Sequence, residues 1–279
     1  MKIAVLAGGL SPERDVSLTS GSLIANALSK AGHSVALLDV YKNADTSDIN
    51  SLFLENTEHS FSVEESAPDL ETVIAQNGGR RINIGDGVLD VCRAADVVFL
   101  ALHGAMGENG QLQATLDNYG IHRYTGSDYV GSLLAMDKDI SKKMLRSAGI
   151  TTADWVMLRD GSAESVARAE AEIGYPCVVK PNSCGSSVGV SIVHDRKQLE
   201  KALSDAAKYE QTIMCEKKIS GREMTVGILD GEVLPAIEII PTDGFYDYKN
   251  KYQSSMTDEI CPPDITEEEN TALAETALK

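Results

Sequence analysis

The stretch Asp96-Val97-Val98-Phe99-Leu100-Ala101-Leu102 constrains the fold of this chain more than any other. After the aspartate every side chain is apolar, with no alternation that would leave one face to water. A run this short and uniform is buried on both faces, which is the condition of a central strand in a parallel sheet covered by helices. It stops abruptly at His103-Gly104, and open parallel sheets bind their ligands beyond the C-terminal ends of the strands.

The beginning of the chain supplies neighbours for that strand. Lys2 to Leu6 is β-prone, Gly8 to Asp15 is a glycine-bearing loop, Ile24, Ala27 and Leu28 recur at helical spacing, and Ser34 to Val40 is apolar again. This is the opening of a βαβ unit, with Asp15 or Ser17 to cap the helix and Gly32 at its C-terminal end. From Tyr41 to about Ala95 the pattern weakens, and the sequence predicts an insertion with one strand-turn-strand over Arg81 to Leu89. A helix over Gln111 to Tyr119 and a short strand over His122 to Thr125 complete a first domain, and Gly126-Ser127 reads as a linker.

A second unit opens with a predicted helix from Leu133 to Ser147. A strand, a helix over Ala163 to Ile173, strands over Tyr175 to Val179 and Val190 to Val193, a helix over Arg196 to Tyr209 and a strand over Thr212 to Glu216 follow. Met224 to Leu229 and Glu232 to Ile240 are antiparallel strands divided by Asp230-Gly231, a strong hairpin turn.

The net charge of −17 over 279 residues excludes a broad basic face for nucleic acid. No apolar run approaches the ~20 residues that span a bilayer, and the apolar stretch after Met1 is too short for a signal peptide. The expected setting is cytoplasmic, away from any membrane. The five cysteines, at 92, 177, 184, 215 and 261, form no Cys-x-x-Cys pair and flank no histidine at zinc spacing, so reduced thiols are expected and no metal site. A small anionic ligand would have to be held by individually placed lysines.

The best place for such a ligand is Lys180-Pro-Asn-Ser-Cys-Gly-Ser-Ser-Val-Gly189, which follows the strand Tyr175 to Val179. Gly185 and Gly189 allow successive N–H groups to converge on an anion, and Ser186 and Ser187 add hydroxyl donors. The lysine precedes the loop, so this is not the Walker pattern, and an ordinary surface turn is the alternative. Lys138, Lys180 and Lys251 come from different elements and could serve one triphosphate, although each alone reads as a surface residue. Glu216 and Glu223 bracket Lys217-Lys218-Ile219: either backbone groups there meet an adenine edge and a carboxylate meets a ribose, or these are charges around a turn. Glu13, in the first glycine loop, and His103 emerge at one sheet edge. Their plain alternatives are a solvated carboxylate and a histidine tied to a carbonyl. Phe245 to Tyr252 gathers aromatics in a chain poor in them, with lysine and aspartate interrupting any packing period, which favours a lid or pocket wall.

Together these residues resemble the D-alanine–D-alanine ligases of the ATP-grasp superfamily. The resemblance rests on Gly8 to Ser17, His103-Gly104 with Gly107 to Gly110, Met136-Asp137-Lys138, Val179-Lys180-Pro181, Gly185 to Gly189, Glu216-Lys217 with Glu223, and Phe245 to Tyr252, in family order along nearly the whole chain. It implies an α/β ATP-grasp architecture: an N-terminal parallel-sheet α/β substrate-binding domain over 1–126, a central α+β ATP-grasp domain over 127–216 and an incomplete C-terminal ATP-grasp domain over 217–279. The implied reaction uses ATP to phosphorylate one D-alanine carboxylate, after which the amine of a second D-alanine attacks the acyl phosphate, for peptidoglycan synthesis and cell shape.

The same resemblance implies the roles. Glu13, Ser186 and Tyr252 are the catalytic residues, with Glu13 orienting the first ammonium and the other two linking to it by hydrogen bonds. Val16 and His103 bind substrate. Lys138, Lys180, Ser187, Glu216, Lys217, Ile219, Glu223, Phe245 and Lys251 bind ATP, with Glu216 to Ile219 at the adenine and Glu223 at the ribose. Tyr252 favours an amino nucleophile, since relatives that form the D-lactate ester lack this segment. Two magnesium ions and a homodimer are also implied.

Family members continue past a helix like Ile265 to Lys279 into Gly-x-Gly-Arg-x-Asp and later Glu-x-Asn-x-x-Pro-Gly, which carry the magnesium ligands. Neither motif is present. The expectation is therefore a truncated chain, without metal ligands and inactive alone. A non-catalytic nucleotide-binding fragment and another ATP-grasp carboxylate–amine ligase are the alternatives. A dinucleotide-binding dehydrogenase fits less well, because the first glycine loop lacks Gly-x-Gly-x-x-Gly.

Overall fold

The structure is a computed structural model, and the described residues are 1–64, 67–242, 244–247, 250–251 and 256–279. They form two compact units, Met1–Asp137 and Lys138–Lys279.

In the first unit β1 (Lys2–Ala7), α1 (Arg14–Lys30) and β2 (Ser34–Asp39) make the βαβ opening. After α2 (Leu70–Gln76) and α3 (Val88–Ala94) the chain returns as β3 (Val97–Leu100), and α4 (Ala105–Glu108), α5 (Gln111–Asn118) and α6 (Tyr129–Met136) follow. The strand order is β2-β1-β3, with both pairings parallel. Alternate residues of β1 serve two cores: Ile3 and Val5 pack with Ala25, Val35 and Ala101, whereas Ala4 and Leu6 join Val88, Val91, Leu112 and Leu116. Burial of both faces explains why the strand reads as an unbroken apolar run.

Three expectations are corrected here. The run Asp96 to Leu102 is not the central strand; β1 is, and the outer edge of β3 meets only an isolated parallel bridge between Val98 and Tyr124. That bridge, held by Val98 N–H to Arg123 O at 2.8 Å and Thr125 N–H to Val98 O at 3.0 Å, is all that forms of the strand expected over His122 to Thr125. The strand-turn-strand over Arg81 to Leu89 does not form either. Gly85 N–H is drawn onto Val40 O at 2.8 Å, and Gly87, at φ 80°, starts α3, which buries Val88 and Val91 at helical spacing. Core burial at a three-residue spacing overrides the β-prone local composition.

Ser17 ties the C-terminal sheet edge together. Its side chain is fully buried; Oγ accepts from Gly8 N–H at 2.8 Å and donates to Ala101 O at 2.7 Å. Ser17→Ala leaves a buried donor and a buried acceptor unpaired, so urea unfolding should show a loss of about 2 kcal/mol with an unchanged m-value. A midpoint equal to wild type would show that the loop and strand end are not coupled through this hydroxyl.

The second unit contains α7 (Lys138–Ser147), β4 (Trp155–Leu158), α8 (Ala163–Glu172), β5 (Cys177–Pro181), β6 (Ser191–Val193), α9 (Arg196–Ala206) and β7 (Ile213–Lys217). The strand order is β4-β7-β5-β6, antiparallel throughout. One face buries Val156, Leu158, Cys177, Val179, Ile213 and Cys215 with Val166 and Ala169 of α8 and Leu199 and Leu203 of α9. By the two-residue period of strands, Trp155, Val178, Lys180 and Glu216 share the other face. Then come β8 (Glu223–Thr225), β9 (Ile228–Leu229), β10 (Glu232–Val233), β11 (Ile237–Pro241) and β12 (Thr257–Ile260). β9 and β10 form the hairpin across Asp230-Gly231, while β12-β11-β8 make a separate antiparallel sheet. The last helix, Glu267–Leu278, begins with a capping box between Thr266 and Glu269.

The helix expected over Leu133 to Ser147 is broken at Asp137, whose backbone is extended at φ −80°, ψ 106°. Long-range contacts cause the break: Lys138 Nζ donates to Asn182 O at 3.0 Å and to Cys184 O at 2.6 Å, and Asp139 N–H donates to Asn182 Oδ1 at 3.1 Å.

Candidate active site

In the first unit the loop between β1 and α1 is held by buried charge. Arg14 forms an ion pair with Asp39 and donates to Gly9 O at 2.8 Å, while Asp39 Oδ1 also accepts from Gly9 N–H and Tyr41 N–H, each at 3.2 Å. The next functional candidate, Glu13, is buried, and its N–H donates to Ser11 Oγ at 3.0 Å. Its carboxylate lies against the turn after β3: a Cβ placed on Gly104 would overlap Glu13 Oε2 and lie 2.6 Å from Ser11 Oγ. His103 is half-buried, with Nε2 at 3.1 Å from Ser20 Oγ of α1, and Gly104 N–H donates to Glu108 Oε2 at 2.5 Å. Val16 is buried in the first turn of α1. Glu13 and the His103-Gly104 turn are therefore neighbours, and an ionised carboxylate here is an acceptor for a cationic amine.

In the second unit the lysines and the loop after β5 form one network. Pairing of β5 with β7 sets Val178 opposite Glu216, so Lys180, two residues on, is the diagonal neighbour of Glu216 on the same face. Glu216 pairs with Lys180 through one carboxylate oxygen and with Lys142 of α7 through the other, at 2.6 Å. Burial opposes ionisation of Glu216, but the Lys180 and Lys142 ammonium groups outweigh it and hold the carboxyl below its usual range. Lys142 also lies 5.0 Å from the centroid of the Trp155 ring, and Arg146 lies 4.3 Å from it. Trp155 Nε1–H donates to Asp139 Oδ1 at 2.9 Å.

The loop itself is shaped by tertiary contacts. Asn182 is buried and its N–H donates to Thr212 O at 2.9 Å; Ser183 N–H donates to Glu210 Oε2 at 2.7 Å. Ser186 and Ser187 are left-handed at φ 49° and 57°, a conformation that bends successive N–H groups toward one side. Ser187 Oγ donates to Tyr246 O at 2.7 Å. Near it, Asn250 Nδ2 donates to Phe245 O at 2.9 Å and Lys251 Nζ lies 5.0 Å from the Tyr246 ring centroid. Burial, then Glu259 and Glu223, push the Tyr246 phenol above its ordinary pKa.

The structure thus brings Lys138, Lys180 and Glu216 around the start of the loop, and Ser187 to the segment bearing Phe245 and Lys251. Ser186 occupies the loop bend. Lys217, Ile219 and Glu223 are exposed at and beyond the end of β7, and Glu216 is turned toward the two lysines. Tyr252 lies outside the described residues. Sequence reasoning missed Lys142, Asn182 and Trp155. A signal existed for Asn182, which directly follows Lys180-Pro181.

Among the described residues no group of three or more His, Cys, Asp or Glu is placed to hold a metal ion. No chemical step below runs through the two magnesium ions implied by the resemblance. Among the described residues, too, no helix is long and apolar enough to cross a membrane.

The family model for the D-ala D-ala ligase N-terminus matches residues 2–127, and that for the D-ala D-ala ligase C-terminus matches 144–279. A D-alanine–D-alanine ligase of Pediococcus pentosaceus is 40% identical over 287 aligned positions, which cover 100% of this chain and 80% of that protein. The crystal structure of a Bacillus anthracis D-alanine–D-alanine ligase superposes with a TM-score of 0.68 at 32% identity, covering 100% of this chain and 77% of that one. The Bacillus anthracis enzyme complexed with ATP gives 0.65 at 29% identity, covering 100% and 76%.

The C-terminal family model takes in the residues expected to form an incomplete domain over 217–279, and with the ligase relatives this overturns the reading as an inactive, non-catalytic fragment. The C-terminal family model extends from residue 144 to 279.

Proposed function

We propose that this chain, which belongs to the D-alanine–D-alanine ligase family, joins two D-alanine molecules into D-alanyl-D-alanine while converting ATP to ADP and phosphate, for peptidoglycan synthesis. One observation carries the reading within the geometry: Lys180, near the end of β5, precedes a loop whose Ser186 and Ser187 are left-handed, beside Lys138 and Glu216. Such a loop presents N–H groups, hydroxyls and ammonium groups to a polyphosphate.

A carboxylate resists amine attack because its oxygen is a poor leaving group. When a carboxylate oxygen of the first D-alanine attacks the γ-phosphorus, ADP departs and an acyl phosphate forms. The amine of the second D-alanine then attacks the carbonyl carbon, inorganic phosphate leaves, and the amine gives up a proton. In this reading Lys138, Lys180, Ser187 and Lys251 hold phosphates, and charge moving toward the departing ADP meets fixed cations. Glu13 accepts from the first substrate's ammonium, Val16 and His103 line its pocket, and Ser186 and Tyr252 are the other catalytic residues of this reading. Glu216, Lys217, Ile219 and Phe245 border the adenine, and Glu223 takes the ribose. The functional parts are 1–126 for the amino acid and 127–216 with 217–279 for the nucleotide. A cytoplasmic homodimer belongs to the same reading.

The test is ADP release measured with magnesium and ATP in excess against D-alanine, D-lactate, D-serine and L-alanine, with mass spectrometry of the product. D-Alanine alone should drive sustained release, with one dipeptide per ADP. A chain that binds ATP yet releases no ADP in response to D-alanine would refute the assignment, and release driven by another acid would move it to a different ligase of the same fold.

A further inference from the structure

Lys142 is buried, 8% exposed, and the reaction as described gives it no task. Its ammonium takes one oxygen of Glu216 at 2.6 Å while Lys180 takes the other. With two lysines on one carboxylate the cluster keeps one net positive charge. Without Lys142, Lys180 and Glu216 become an isolated pair with no net charge, half-shielded from water, where attraction between them is strong. Lys180 would then have to give up the counter-ion it pairs with among the described residues to meet a phosphate.

We infer that Lys142 is a positioning residue for the nucleotide: by occupying one side of Glu216, it leaves the Lys180 ammonium available to the phosphates. The inference rests on the proposed reading of Lys180 as a phosphate ligand. Lys142 has the support its task requires, being seated over the Trp155 ring, which Asp139 fixes through Nε1 and Arg146 covers at 4.3 Å. Register adds to this, since Trp155 stands directly opposite Glu216 across β4 and β7. Trp155 is also the single tryptophan of the chain, so its fluorescence reports from the centre of the cluster.

The experiment is titration of ATP with magnesium, without D-alanine, read by calorimetry and by Trp155 fluorescence. Lys142→Met should weaken ATP about 10-fold, a loss of about 1.4 kcal/mol, whereas Lys142→Arg, which keeps the charge, should stay within about 3-fold. In a Glu216→Gln background, where the Glu216 charge no longer holds Lys180, Lys142→Met should cost no more than about 2-fold. Equal losses in both backgrounds would overturn the inference, because Lys142 would then act without Glu216. Failure of Lys142→Arg to recover affinity, or a wild-type chain that binds no ATP, would overturn it as well. Tight ATP binding without D-alanine-dependent turnover would defeat the ligase reading and leave this inference standing.

Discussion

If the proposed ligase reading holds, Gly104→Ala should lower kcat/KM for D-alanine on the order of 100-fold and leave ATP affinity close to wild type. The backbone at Gly104, φ 67° and ψ 178°, lies where only glycine is at ease, so alanine costs about 1–3 kcal/mol in strain there. The new methyl group would also overlap Glu13 Oε2 and press on Ser11 Oγ. Either the turn after β3 shifts, moving His103, or the carboxylate swings away, and in both cases the carboxylate proposed to accept the substrate's ammonium loses its place beside the turn. A charge-assisted contact displaced by an ångström loses most of its worth. Steady-state kinetics with D-alanine, set beside ATP titration of the same variant, reads the two effects separately. Undiminished kcat/KM would mean that the Glu13 carboxylate and the turn after β3 do not act as one substrate site. A parallel loss of ATP affinity would mean that the variant had lost its fold generally.

The parts of this fold legible in the sequence are those set by local chemistry. The apolar run of β1, the helical spacing of Ile24, Ala27 and Leu28, and the Asp230-Gly231 hairpin all follow from composition, period and turn preference, and each forms where it was expected. The illegible parts are set by partners far along the chain. Asp137 breaks a helix because Asn182 and Cys184, more than forty residues later, hold the Lys138 side chain. Gly85 and Gly87 abandon a β-prone stretch because Val40 offers a carbonyl and Val88 and Val91 have a core to enter.

The site divides in the same way. Small-residue loops and strand-end residues identify themselves, since glycine, serine and a lone histidine at the end of an apolar run have few structural uses together. Lys142 does not, because a lysine in the polar sequence Lys138 to Ser147 reads as the wet side of an amphipathic helix. Only the register of β7 against β5, together with the position of α7, turns it toward Glu216. Glu216 was read as a carboxylate near an adenine, and its pairing with two cations needed three elements to be placed at once.

That pairing makes Glu216 the residue whose loss should cost the second unit most. Glu216→Ala leaves the Lys142 and Lys180 ammonium groups facing each other without a counter-ion, at side-chain exposures of 10% and 20%. Removing one partner from a buried ion cluster costs about 3 kcal/mol, because the remaining charges stay desolvated. Glu216→Gln, which keeps the volume and the hydrogen-bond acceptor but not the charge, should show most of the loss. Lys142→Met added to Glu216→Ala should recover part of it by removing the like-charge contact. The pH dependence follows from the depressed carboxyl, which the two cations hold down against burial. A group whose folded pKa is lowered stabilises fully above its unfolded value, and that contribution is lost as pH falls through the folded one. Urea unfolding should therefore give a constant gap between wild type and Glu216→Gln at neutral pH, closing in acid below the usual carboxylate range. A gap that is absent at pH 7, or that widens in acid, would show that Glu216 does not hold the second unit through its charge.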